Sequence, residues 1–192
     1  MIIKKRVKDR NYQLGKHRIG RLPVHPRTAH IDKQEVAHAF QIESINCLYT
    51  NAASLPNKMD ELRELSNAND AHLIGISETW ITSQFTDQEL AITGMSLFRN
   101  DRKTGMGGGV ALYVRSCLDA HQLHNQEFHN LDESVWCSVR LSTTSRCLVG
   151  VLYRKPTADI EYDKRLLEGL TRSTRLGFSH ILILGDFNLP RI

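Results

Sequence analysis

The sequence predicts an α/β (α+β) protein, with sheet layers covered by helices. Three observations carry this. Short runs of branched aliphatics recur, at residues 42–49, at Leu73-Ile74-Gly75-Ile76-Ser77 and at Ile181-Leu182-Ile183-Leu184. Runs of that length and branching read as buried strands. Two intervening stretches carry apolar residues at helical spacing, and no stretch of eighteen apolar residues exists, so the apolar surface must be buried in a core rather than a bilayer.

Taken in order, residues 42–50 form a first strand. Asn57 opens a short amphipathic helix with Met59, Leu62 and Leu65 on one face and Asp60, Glu61, Arg63 and Glu64 on the other. Strand 72–77 completes a β-α-β unit, which favours parallel pairing. Thr86-Asp87-Gln88-Glu89 has the form of a capping box opening a helix of one or two turns. The glycines of 105–109 turn the chain into strand 110–115. Their spacing is not that of a dinucleotide loop, and no Gly-Lys-Ser/Thr follows. Val135-Trp136-Cys137-Ser138-Val139 and residues 147–153 read as a hairpin around Ser142-Thr143-Thr144-Ser145. Residues 161–176 form a helix with Tyr162, Leu166 and Leu170 inward, and strand 180–185 follows.

At 192 residues, with 41% hydrophobic and 24% charged residues, one globular domain is expected. The net charge of +4 is unevenly spread: residues 1–40 hold ten Lys/Arg against three Asp/Glu, and residues 41–192 hold fifteen against eighteen. Residues 1–40 thus read as a basic, disordered arm, and 41–192 as the folded domain. The arm is either a nucleic-acid-binding segment or, the favoured reading, a solvated tail. Met-Ile-Ile-Lys-Lys-Arg does not read as a secretory signal. Of the four cysteines, Cys47, Cys137 and Cys147 fall in strand-like runs, as buried reduced thiols of an intracellular protein do.

The chemistry concentrates where strands end. Gly185-Asp186-Phe187-Asn188 follows the last aliphatic run, and Gly185 permits close backbone approach. Asp186 and Asn188 point the same way from an extended backbone, so they can hold a water or metal together with a reacting oxyanion. Asn51 and Glu78 end two other strands. Mg²⁺ favours such oxygen ligands, with one or two carboxylates and a substrate phosphate. Each of these residues alone could be a turn former or helix cap. Arg154 could pair with a phosphate or be an ordinary strand-end charge. Cys117, His121, His124 and His129 do not match zinc-ligand spacing. Trp136 alternates with apolar neighbours and reads as core, whereas Trp80 is left open between core and a base-stacking role.

Thr50-Asn51-Ala52, Ser77-Glu78-Thr79-Trp80, Gly107-Gly108-Gly109-Val110-Ala111-Leu112-Tyr113, Val149-Gly150-Val151-Leu152-Tyr153-Arg154 and Gly185-Asp186-Phe187-Asn188 occur in this order. Together they resemble the endonuclease/exonuclease/phosphatase superfamily, and most of all the apurinic-endonuclease-like domain of non-LTR (LINE-type) retrotransposons. The resemblance spans residues 42–190. It implies a four-layer α-β-β-α sandwich of two mixed sheets with the site at its edge. It further implies that Asn51 and Glu78 help hold Mg²⁺, with Mn²⁺ as an alternative, that Tyr153 contacts the scissile phosphate, that Asp186 readies the attacking water, and that Asn188 steadies the transition state. Its substrate class is DNA, and a DNA-nicking role would place it in the nucleus.

The same resemblance implies a further metal-side aspartate and a Ser-Asp-His segment after Gly-Asp-Phe-Asn, and Ser-Asp-His occurs nowhere in the chain. The expectation is therefore a C-terminally truncated domain, with one sheet short of strands, weakly active or inactive. Its missing segment, and the reverse transcriptase of a complete element, would be its partners; no membrane is. Two other readings stay open: a non-catalytic mobile-element remnant binding nucleic acid weakly, and a phosphatase- or sphingomyelinase-type hydrolase. If the basic arm contributes to nucleic-acid affinity, the full chain will bind DNA more tightly than residues 41–192 at low salt. That difference will shrink steeply with added salt and show no sequence preference; fluorescence anisotropy of the two chains checks it.

Overall fold

The computed structural model describes residues 18–23, 44–103, 105–124, 128 and 131–189. Eleven elements follow one another: β1 (Arg18–Pro23), β2 (Ser44–Asn51), α1 (Met59–Ala68), β3 (Leu73–Ser77), β4 (Met95–Asn100), β5 (Val110–Arg115), β6 (His121–Gln122), β7 (Ser134–Arg140), β8 (Arg146–Tyr153), α2 (Ile160–Ser173) and β9 (His180–Asp186). They build two mixed sheets, ordered β1-β2-β3-β5-β4 and β6-β7-β8-β9. β2 runs parallel to β3, and β8 parallel to β9; every other pair is antiparallel.

The layering follows from side-chain alternation. Leu73, Val110, Leu112 and Val114 of the first sheet meet Val135, Val149, Val151 and Leu184 of the second in a shared core. The opposite face of the first sheet, including Ile74, Ile76 and Tyr113, is covered by Met59 and Leu62 of α1. Trp136, Leu148 and Leu152 on the outer face of the second sheet are covered by Leu166 of α2. The result is the expected four-layer α-β-β-α sandwich. Cys47, Cys137 and Cys147 are buried free thiols, each pushed up to about 12 by burial, while Cys117 is exposed.

Three expectations need correction. Residues 1–40 read as an unstructured arm, yet Arg18–Pro23 forms β1 and pairs antiparallel with β2. An open strand edge offers main-chain partners to any segment, whatever its composition. The rest of 1–40 lies outside the described residues. The capping box does close: Thr86 N donates to Glu89 Oε2 at 2.8 Å and Glu89 N to Thr86 Oγ1 at 3.3 Å. The segment then makes a turn rather than a helix, with Ala91 N donating to Gln88 O at 3.3 Å, and side chains from elsewhere in the chain bond the carbonyls that follow. Arg63 donates to Glu89 O and Ala91 O, and the Tyr113 hydroxyl to Leu90 O. β4 was not expected; it lies at the edge of its sheet and is only partly buried, so it carries no clean alternation.

Two glycines set how closely the layers pack. A Cβ on Gly75 would stand 2.8 Å from Leu184 Cδ1 in the facing sheet, and one on Gly185 would collide with the Leu152 carbonyl oxygen. The second neighbour is main chain and cannot swing aside. Gly185→Ala is expected to cost about 3 kcal/mol, at the upper end for overpacking, as measured by denaturant unfolding.

Candidate active site

Parallel pairing dictates where the site lies. β2 and β3 run side by side in one direction, with Asn51 in register with Ser77. β8 and β9 do the same, with Tyr153 in register with Asp186. Each parallel pair therefore delivers two carboxyl-terminal ends to one edge of its sheet. The two edges meet: Asn51 Nδ2 donates to Asp186 Oδ2 at 3.1 Å, across 135 residues of chain and from one sheet to the other. Asn51 Oδ1 accepts from Ala53 N at 3.2 Å, which fixes the carboxamide.

Glu78 leaves β3 in the left-handed region, at φ +54°. Its Oε2 accepts from the Trp80 indole nitrogen at 2.7 Å and from Gly108 N at 2.8 Å. The glycine loop exists to make this possible. Gly107, Gly108 and Gly109 all have φ between +71° and +79°. A Cβ on Gly109 would lie 2.5 Å from Thr79 Oγ1, and one on Gly108 would run into the Arg102 guanidinium. With no side chains there, Trp80 N reaches Gly108 O at 2.9 Å and Thr79 N reaches Gly109 O at 3.3 Å.

Tyr153 closes the group. Burial and the neighbouring Glu78 carboxylate hold its phenol well above the ordinary range, with Asp186 adding to the effect and Arg102 opposing it. Tyr49 is raised in the same way, chiefly by burial and then by the charges of Asp186 and Glu78, although its hydroxyl also bonds Ser77 Oγ at 2.8 Å. Both tyrosines thus lie within electrostatic reach of both carboxylates, and Asn51, Glu78, Tyr153 and Asp186 come to the same end of the two sheets.

Residues 44–191 match the profile of the endonuclease/exonuclease/phosphatase family. The chain belongs to that family. Among curated proteins no match was found. Among solved structures, it resembles the endonuclease domain of TRAS1, a telomere-specific non-LTR retrotransposon, at 18% identity and a TM-score of 0.54, covering 76% of this chain and 61% of that one. An AP endonuclease from Archaeoglobus fulgidus superposes at 15% identity and a TM-score of 0.57, covering 76% and 58%. The AP endonuclease LMAP from Leishmania major does so at 16% and 0.61, covering 88% and 61%. The chain spans less than two thirds of the length of each. These likenesses show the family's fold.

Arg154 has a different place from the phosphate contact the sequence allowed. It is 2% exposed, and its donors are already committed. Nε and Nη2 grip both oxygens of Asp163 on α2, while Nη1 and Nη2 donate to the carbonyls of Lys155, Ala158 and Asn188. In return, Asn188 Nδ2 donates to Arg154 O at 2.9 Å, and Arg154 N donates to Asp186 O. Arg154 therefore locks the Asp186–Asn188 segment to α2. Asn188, at φ +40°, keeps one amide hydrogen and its Oδ1 for other partners.

A second pair was also not foreseen. Arg102 donates from Nε and Nη2 to the buried Glu133 carboxylate, and from Nη1 to Met106 O at 2.7 Å. Its guanidinium carbon lies 5.7 Å from the Tyr153 ring centroid. Tyr49 could have been found, since it lies two residues before Asn51 on the same strand face. The Arg102–Glu133 pair is 31 residues apart and leaves no local signal.

No group of three or more His, Cys, Asp or Glu able to hold a metal occurs among the described residues. In the Cys117–His129 region, His121 lies 3.2 Å from Asp119, and His129 lies outside the described residues. The cleft instead offers two carboxylates and a carboxamide. Glu78 takes two donors, both on Oε2, out of about four acceptor positions. Asp186 takes one, and Asn51 Oδ1 one of two. Among the described residues each keeps a lone pair, and all are the hard oxygens Mg²⁺ favours.

The Arg154–Asp163 pair makes a testable statement about pH. Arg154 bonds hold Asp163 below its usual carboxylate value of 3.8. A lowered acid stabilises the fold above its unfolded value and ceases to do so as the pH falls through the folded value. Asp163→Asn is expected to be less stable than wild type at neutral pH, with the two melting temperatures converging below about pH 4. Thermal unfolding at several pH values checks this.

Proposed function

We propose that this domain hydrolyses phosphodiester bonds in DNA with the help of a divalent ion, as an endonuclease of the non-LTR-retrotransposon type. The observation carrying this is the Asn51–Asp186 hydrogen bond, which joins two sheets at the cleft that Glu78 and Tyr153 also line. The fold of the TRAS1 endonuclease domain supports the retrotransposon branch, as does Ser77-Glu78-Thr79-Trp80. Glu78 and Asn51 would hold Mg²⁺ or Mn²⁺, which when bound supplies positive charge to the phosphate.

The chain's own groups supply the rest. Asp186, half-buried and with one carboxylate oxygen unpartnered among the described residues, accepts the proton of a water attacking phosphorus. Asn51 fixes that carboxylate. Tyr153 stays protonated because burial and Glu78 both oppose the phenolate, so it donates a hydrogen bond to a non-bridging oxygen. The second amide hydrogen of Asn188 would steady the charge that builds there.

Supercoiled-plasmid nicking is expected to need Mg²⁺ or Mn²⁺ and to vanish in Asp186→Ala. Nicking that persists in that variant, or in EDTA, removes the reading. Mn²⁺ binding by water-proton relaxation tests the site independently of turnover: at least tenfold weaker binding is expected in Glu78→Gln, and no binding by wild type would overturn the metal assignment.

A further inference from the structure

Few large apolar side chains of the described residues are exposed, and two of them stand at the rim of the cleft. Trp80 is 44% exposed and Met106 94%. Gly107, which follows Met106, would carry a Cβ only 3.3 Å from the Trp80 indole nitrogen. Both residues are held by their main chains. Trp80 N donates to Gly108 O at 2.9 Å, and Met106 O accepts from Arg102.

A single exposed apolar residue needs no explanation. Trp80 is different, because three features concern its ring. Its backbone sits at φ +54°, a strained conformation for a bulky residue. Its indole N–H is tied to Glu78 Oε2 at 2.7 Å, so the ring edge is fixed at the cleft. Nearly half of its surface is left to solvent. An aromatic plane ordered in advance and left uncovered loses little freedom when something flat lies on it. Trp136 is the internal contrast: 2% exposed, and stacked on Phe128 with centroids 4.1 Å apart.

Resting on the reading of the cleft as a phosphodiester site, we propose that Trp80 and Met106 form a nucleobase-binding rim. Trp80 stacks on the base of a nucleotide flanking the phosphate in the cleft, and Met106 lies against its other side as an apolar wedge. Stacking suits the position because every base has a π-face, and an apolar side chain is a recurrent means of prising bases apart. Exposed Lys103, in the same loop, supplies a cation for the adjoining phosphate.

The experiment compares an octanucleotide with an oligomer of identical phosphates and abasic tetrahydrofuran sugars, by anisotropy with Ca²⁺ in place of Mg²⁺. The wild-type chain is expected to bind the base-containing strand about tenfold more tightly. Trp80→Ala erases that difference. Trp80→Phe keeps it although the bond to Glu78 is gone, which separates stacking from support of the carboxylate. Met106→Ala reduces it. Acrylamide quenching reads the same event, since Trp136 is buried and the quenchable emission belongs to Trp80; the base-containing strand protects it and the abasic strand does not. Equal affinity for the two strands, or a Trp80→Ala chain that still tells them apart, overturns the rim. Asp186-dependent nicking without base preference overturns the rim alone. Failure of either strand to bind overturns both the rim and the phosphodiester site.

Discussion

Two parallel strand pairs, one in each sheet, are the constraint on which this molecule's site depends. Antiparallel neighbours end at opposite edges, so a fully antiparallel sandwich would scatter these residues. Because β2 runs with β3 and β8 with β9, four carboxyl-terminal ends reach one edge. Each parallel pair needs a crossover, and the two long helices are those crossovers: α1 between β2 and β3, α2 between β8 and β9. The helices that cover the outer faces are thus also what allows Asn51 to find Asp186.

The site is further held by backbone that ordinary residues avoid. Glu78, Trp80, Glu133 and Asn188 all have positive φ, and so do the three glycines against which Glu78 and Trp80 pack. Such conformations persist only where surroundings over-determine them, and they gather where geometry matters. The surroundings here are specific: Gly108 N on Glu78, Arg102 on Glu133, and Arg154 on Asn188.

Much of this could be read from the sequence, and the reasons are local. Aliphatic runs marked β3, β5, β8 and β9, and helical spacing marked α1 and α2, because burial on both faces or on one stripe leaves a pattern in consecutive residues. Asn51, Glu78, Asp186 and Asn188 stood out because they end strands, and Tyr153 through the resemblance; the structure brings Asn51, Glu78, Tyr153 and Asp186 to the same end of the two sheets. What stayed hidden was non-local. Arg154 looked like a free cation because Asp163 lies a turn into a helix, and nothing in the intervening residues signals their pairing. The Thr86–Glu89 box signalled a helix but closes a turn, which Arg63 and Tyr113 tie down from elsewhere in the chain. β4 and β1 are edge strands, whose pairing rests on main chain that every sequence possesses.

The pairing of β1 with β2 changes what the amino-terminal arm is. Leu48, three residues before Asn51, has Arg18 as its partner in the ladder. At about 3.3 Å per residue, the tail's hydrogen bonds come within roughly 10 Å of the cleft. β1 is also the shield on β2's outer flank, since β3 occupies the other. Without it, β2 would present a row of unanswered main-chain donors and acceptors, a template on which a second copy of the chain can add its own strand. The arm therefore guards the molecule against self-association as well as carrying charge.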